Sequence, residues 1–302
     1  MALTDPQLIE LIACPDCRSD LAQAEGRLLC TGCGRQYEVR SGIPILYPTG
    51  VEAAHLEEEE RLAKAMMQPR GGGREAFYAD QWGLARAGFW KMVEDNVVAP
   101  PAAIVNIGCG YSRNFLGFQQ LGYTFVNLDL VYSILRVLQE ERGAKSCVAG
   151  DIERLPLKPS SFDALICADV IHHRCDIAPD LLASFSELLR PGGSLFLQDP
   201  NAWGMFQIPK SILPKPLYRA ARATYHRLKR TKNRPADYEF PTSVWSVMRT
   251  LRKVGFSVVE LFPNDAYPRL HPLLYGIYRF LRRVEYVRRY HGYHYTLRAV
   301  KG

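Results

Sequence analysis

Short apolar runs separated by turn-forming residues recur through the middle of the chain. Ala102–Ile107 is apolar at nearly every position and is bounded by Pro100-Pro101 and Gly108. A run this short, without polar alternation, predicts a strand covered on both faces, as in a parallel sheet. Phe125-Val-Asn-Leu-Asp129 and Ala164–Ala168 read the same way, with a helix over about 115–121 between the first two. Ser243–Val254 has helical spacing and stops at Gly255, Phe256–Phe262 follows as a strand, and His294–Lys301 supplies a last, antiparallel strand. Alternating strands and helices predict an α/β fold with a doubly wound, mostly parallel sheet.

A different pattern precedes this region. Cys14, Cys17, Cys30 and Cys33 form two Cys-x2-Cys turns separated by twelve residues. Two such knuckles facing each other present four thiolates to a tetrahedral ion, at about 2.3 Å per bond for zinc. A closed four-cysteine shell leaves no open position, which makes the zinc structural. It would supply folding energy that some fifty residues cannot obtain from a core of their own. A rubredoxin-like iron site is the competing reading. Together with Leu8-Ile-Glu-Leu-Ile-Ala-Cys14-Pro and Gln36–Pro48, this segment resembles the small zinc-ribbon activators that partner methyltransferases, here fused to the client. The expected organisation is a zinc ribbon over 1–50, a linker over 51–75 and a larger domain over 76–302. Within the linker the run Glu57–Glu60 belongs to an acidic helix and reads as a solvated face.

The strand at 102–107 runs directly into Gly108-Cys109-Gly110, and Asp129 lies 21 residues after Gly108. Glycines there allow a tight turn and close approach of a ligand, while the carboxylate can accept hydrogen bonds from ribose hydroxyls. A dinucleotide fold wants a third glycine, so that a pyrophosphate meets a helix N-terminus; Arg113 stands in its place. S-adenosylmethionine has no phosphate and needs only the first turn.

Further blocks follow in order: Gly150-Asp151-Ile152, Ser161–His173 and Leu188–Gln198. With Val105–Gly110 they resemble class I S-adenosylmethionine-dependent methyltransferases, particularly the quinone-methylase-like branch, over about residues 76–262. The resemblance implies a seven-stranded Rossmann-like sheet. It places Asn106, Gly108, Cys109 and Gly110 at the methionine part of the cofactor and Asp129 and Leu130 at the ribose. Asp151 and Ile152 fall at the adenine, with Ala168 and Asp169 near the sulfonium. Tyr78 and Trp82 fall in a segment that lids the cofactor and touches substrate. Asn106 and Ser112 depart from the family pattern, which has an acid and a glycine there. The loss of a charge at Asn106 keeps a non-catalytic scaffold among the alternatives.

His172 and His173 follow the fourth strand of this domain. A histidine titrates near neutral pH and can take a proton from an oxygen or nitrogen acceptor; His173 is ranked before His172, with Asp169 beside them. Two insertions, at about 203–242 and 264–291, carry the acceptor side. Residues 200–302 hold 20 Lys and Arg against 5 Asp and Glu, whereas residues 1–199 hold 18 against 26, within a net charge of +7. Leu217, Ala221, Tyr225 and Leu228, and again Leu274, Ile277, Leu281 and Val284, align at helical spacing with arginines around them. Basic amphipathic helices of this kind fit an anionic membrane or an amphiphilic small-molecule acceptor such as a lipid, quinone or glycan intermediate. RNA, gripped through phosphates and stacked bases, ranks second. No apolar run reaches the length of a membrane span and Met1–Pro6 lacks a secretory pattern. The expected location is therefore the cytoplasm, with peripheral contact at the membrane surface.

Overall fold

The computed structural model describes residues 5–67, 82–111, 115–174, 178–204, 241–263 and 283–302, with isolated positions at 214–224 and 280–281. Its centre is a seven-strand sheet: β5 (Ala103–Ile107), β6 (Thr124–Asp129), β7 (Ser146–Gly150), β8 (Phe162–Ala168), β9 (Leu189–Pro200), β10 (Phe256–Phe262) and β11 (His294–Lys301). The strand order is β7-β6-β5-β8-β9-β11-β10. The first five strands pair in parallel, and β11 runs antiparallel between β9 and β10. Every residue of β5 and β7 is buried, including the polar Asn106 and Ser146, as expected of central strands covered on both faces.

Residues alternate between two cores across the strands. Val105, Ile107, Val126, Leu128, Leu165 and Leu197 face one side. Ile104, Phe125 and Ile166 face the other, where they pack with Phe89, Trp90, Phe115 and Phe118. The helices laid over the sheet include α3 (Trp82–Asn96), α4 (Phe115–Gln120), α5 (Tyr132–Arg142), α6 (Ala178–Leu188) and α7 (Val244–Lys253). Ser243 caps α7, its side chain accepting from the Ser246 amide. No helix among the described residues is long and apolar enough to cross a membrane.

The cysteine-rich segment is not a separate bead. After the short helix α1 (Pro6–Ile9) it forms β1 (Leu21–Ala24), β2 (Arg27–Cys30), β3 (Gln36–Arg40) and β4 (Ile43–Leu46). Strand β4 pairs in parallel with β7, Ile45 opposite Ala149 and Leu46 opposite Gly150, so one sheet of eleven strands runs through the molecule. The pairing covers what would otherwise be the open edge of β7. Leu8, Ile12, Leu28, Tyr37 and Leu46 join the same core as Val105 and Leu128. Backbone bonds from Ala13 to Pro156 (3.1 Å) and from Lys158 to Leu11 (2.9 Å) close the seam.

Helix α2 (Ala53–Met67) also departs from the expected solvated linker. Helix α5 begins at Val131, which has no side chain to cap it. Glu60 does so from α2, its Oε1 accepting from the Ser133 amide at 3.0 Å. A carboxylate at a helix N-terminus satisfies an orphan N–H and complements the dipole.

Candidate functional site

The sheet order reverses between β5 and β8, and ligands of open α/β sheets bind beyond the carboxyl ends of the strands at such a point. Gly108 and Gly110 turn the chain there with φ of 63° and 51°. A side chain on Gly108 would put Cβ 2.3 Å from Cγ2 of Val170, whereas Gly110 faces open space. Asp129 ends β6 and is 7% exposed. Its Oδ2 accepts from the Gly110 amide at 2.9 Å and its Oδ1 from the Val131 amide at 3.0 Å. The carboxylate thus pins the glycine turn to the loop after β6. Burial pushes its pKa up, and the Val131 and Gly110 amides pull the other way. Cys109 is buried against it, its thiol raised well above the ordinary value by burial and by the Asp129 charge.

Leu130 contributes its carbonyl, which accepts from the Tyr47 hydroxyl at 2.7 Å, so the ribbon reaches the loop that carries Asp129. Asp151 follows β7 and caps a short turn at Ile152–Arg154, its Oδ1 accepting from the Glu153 amide at 2.9 Å. Burial raises the Asp151 pKa, with Arg174 the largest opposing charge. Asn106 is buried in the middle of this edge, in register with Asn127 and Ile166. Ala168 ends β8. Asn106, Gly108–Gly110, Asp129–Leu130, Asp151–Ile152 and Ala168 therefore lie at one edge of the sheet. Tyr78 and Ser112 fall outside the described residues, and Trp82 starts α3.

The fit to S-adenosylmethionine rests on two features of this edge. The positive-φ turn at Gly110 leaves room that a side chain would take. The Asp129 carboxylate is held at the strand end by the Val131 amide on Oδ1 and by the Gly110 amide and, at 3.9 Å, the Cys109 thiol on Oδ2, where a ribose hydroxyl could reach it.

At the acceptor side, Asp169 adopts a left-handed φ of 60°, its amide bonded to the Gln198 carbonyl at 2.8 Å. His294, fully buried at the start of β11, places Nε2 2.9 Å from Asp169 Oδ1. His172 and His173 sit on the turn Ile171–Arg174 with their rings 4.2 Å apart. His172 Nδ1 lies 2.9 Å from Oδ1 of Asp199, a fully buried residue near the end of β9. Asp199 and His294 were not singled out from the sequence, although an acid ending an apolar strand (Leu195–Pro200) was a readable signal.

In the ribbon, the four cysteine Sγ atoms all lie within 4.8 Å of one another. Tetrahedral thiolates at zinc bond length are about 3.8 Å apart, and the Cys14–Cys33 and Cys17–Cys30 pairs stand at 3.8 and 3.3 Å. The Tyr37 hydroxyl is 3.0 Å from Cys14 Sγ and can donate to a thiolate there. The donor set fits a structural zinc.

Residues 105–197 match the methyltransferase domain family, and residues 5–42 match the Trm112p-like protein family. Residues 105–197 thus carry a methyltransferase domain, and residues 5–42 a Trm112-like zinc ribbon. The chain spans less than two thirds of the length of the methyltransferases it matches; it is 33% identical over 95 residues to a malonyl-[acyl-carrier protein] O-methyltransferase of Pseudescherichia vulneris, spanning 32% of this chain and 38% of that protein. It is 26% identical over 226 residues to a tRNA U34 carboxymethyltransferase of Desulfotalea psychrophila, spanning 70% of this chain and 64% of the relative. Its ribbon side is matched by a UPF0434 protein of Stutzerimonas stutzeri, 39% identical over 62 residues, which are 20% of this chain and 98% of that one. Among solved structures, the complex of the Haloferax volcanii Trm112 methyltransferase activator with its putative methyltransferase superposes with a TM-score of 0.51 at 12% identity, covering 82% of this chain and 96% of that chain.

Proposed function

We propose that this methyltransferase transfers a methyl group from S-adenosylmethionine to a small, amphiphilic acceptor, a lipid, quinone or glycan intermediate, bound beside Asp169, His172 and His173. When bound, the cofactor supplies an electrophilic methyl group on a positive sulfonium. The chain's own residues hold and orient: Gly108–Gly110 receive the methionine part, Asp129 and Leu130 the ribose, Asp151 and Ile152 the adenine. Alignment of the acceptor supplies most of the rate, and a base assists an oxygen or nitrogen acceptor.

The rim of the acceptor side carries the choice of acceptor. Trp203 follows β9, and its indole donates to Ser243 Oγ at 3.0 Å. Trp245 stacks on Tyr290 at 4.6 Å and 11°, and Tyr286 packs on the same ring at 4.7 Å. Trp203, Trp245, Phe280 and Tyr286 are exposed, and a shallow groove beside Trp245 is lined by Met248, Arg249, Arg252 and Lys253. Aromatic rings interleaved with cations suit the boundary between apolar chains and anionic headgroups.

RNA is the second reading, supported by the tRNA-modifying relative and by the basic final third of the chain. Methyl-labelled cofactor and an extract from cells lacking the chain separate the two. Label in the lipid or small-molecule fraction supports the first reading, and label in RNA replaces it with the second. Cofactor binding with no labelled fraction from several extracts would favour a non-catalytic scaffold. Contact with an anionic membrane predicts binding to vesicles containing phosphatidylglycerol that weakens as salt is added; equal binding to neutral vesicles contradicts it.

A further inference from the structure

We propose that Asp199 is the positioning residue of a His172–Asp199 dyad that makes His172 the base at the methyl acceptor. The inference rests on the methyl-transfer reading above and adds which imidazole acts and what holds it.

Donors converge on Asp199 from both sides. His172 Nδ1 meets Oδ1 at 2.9 Å. The Thr242 hydroxyl donates to Oδ2 at 3.3 Å, and the Tyr295 hydroxyl lies 2.7 Å behind Thr242 Oγ1. Asp199 and Tyr295 are fully buried, and Thr242 nearly so. These groups come from β9, from the bridge residue before α7 and from β11, so the fold itself holds the carboxylate still. Burial raises the Asp199 pKa, and His172 is the largest opposing influence. Burial and the Asp199 charge keep the Tyr295 phenol protonated, as a donor. An ionised carboxylate only accepts, so Nδ1 of His172 carries its proton and Nε2 is left as the basic nitrogen. His173 stacks on His172, their ring centroids 4.2 Å apart.

The acceptor's O–H or N–H proton passes to His172 Nε2 while the acceptor atom bonds the methyl carbon. The carbon–sulfur pair returns to sulfur, leaving a neutral thioether, and the imidazolium later releases its proton to water. The charged groups around the dyad are Asp169 and His294 on the β8 and β11 sides, with the Cys167 thiol below. Asp199 holds the imidazole in one tautomer and stabilises the imidazolium that forms, the role an orienting carboxylate plays in other dyads.

The test uses the full zinc-loaded chain and nitrogen-15 NMR of its histidines, assigned with His172→Gln and His173→Gln. At neutral pH the His172 signal is expected from the Nδ1–H tautomer, moving toward Nε2–H in Asp199→Asn. An Nε2–H tautomer in the unsubstituted protein, or no change in Asp199→Asn, overturns the proposal without touching the cofactor reading. Where the extract assay yields a labelled fraction, Asp199→Asn should lower its kcat about 100-fold, with the acid limb of the profile moved to lower pH and cofactor affinity kept. Thr242→Val should fall in the same direction and Thr242→Ser recover. An unchanged pH profile in Asp199→Asn contradicts the dyad. Loss of cofactor binding in the unsubstituted chain would instead contradict the methyl-transfer reading.

Discussion

Gly108 and Gly110 share a turn and a left-handed backbone, yet substitution should separate them. An alanine at either position pays about 1–2 kcal/mol for a left-handed conformation. At Gly110, with φ of 51° and nothing near the added Cβ, that is the whole cost. At Gly108 the Cβ would also stand 2.3 Å from Val170 Cγ2, 3.3 Å from Cγ1 and 3.4 Å from Cβ. Val170 is 8% exposed and packs in the same core as Val105 and Ile107, so it cannot swing away without displacing neighbours. Overpacking of this kind costs about 1–3 kcal/mol more. Gly108→Ala should therefore lose about 2–5 kcal/mol in urea denaturation of the zinc-loaded chain, and Gly110→Ala about 1–2. Adding Val170→Ala should rescue part of the Gly108→Ala loss, giving a coupling of at least about 1 kcal/mol in a double-mutant cycle, and no coupling with Gly110→Ala. Equal losses at the two glycines, or additive behaviour with Val170→Ala, would refute the placement of Val170 against the turn.

Three further outcomes follow from named contacts. Asp129→Ala removes the acceptor for two charge-assisted bonds; loss of about 3 kcal/mol corresponds to roughly 100-fold weaker cofactor binding by calorimetry. The carboxylate must be ionised to accept both hydroxyls and burial raises its pKa. Affinity should therefore decline with falling pH from above the ordinary aspartate value of about 4, a dependence that Asp129→Ala abolishes. Cys14→Ser should empty the four-thiolate site in metal analysis and lower the unfolding midpoint of the whole chain, because β4 shields the β7 edge; loss of zinc with an unchanged midpoint would contradict the shared sheet. Tyr47→Phe deletes the bond to the Leu130 carbonyl. It should cost about 1 kcal/mol and weaken cofactor binding a few-fold, measured by melting and calorimetry.

The parts of this architecture legible in the sequence are those encoded locally. Ala103–Ile107 and Phe162–Ala168 announce buried strands because each is largely apolar within one short window, and the glycine turn with Asp129 is a spacing of 21 residues. The four cysteines are likewise two local turns. What stayed hidden depends on long-range assembly. Asp199, Thr242, His294 and Tyr295 meet only because β11 inserts between β9 and β10, and no sequence period reports that. The annealing of β4 to β7 was hidden for the same reason: Ile43-Pro-Ile-Leu46 reads as the tail of a ribbon until its partner strand is known. Glu60 looked like one acid in a solvated run, and its role appears only when the uncapped start of α5 is set beside it. The two histidines were legible as a pair, whereas the buried carboxylate of Asp199 beside His172 was not.

Calorimetric titration of the full zinc-loaded chain with S-adenosylmethionine and, separately, with NAD tests the central claim most directly. One site for S-adenosylmethionine and none for NAD is expected, since Arg113 stands where a dinucleotide fold places the glycine that lets a pyrophosphate approach. Binding of NAD, or of neither compound, would contradict it.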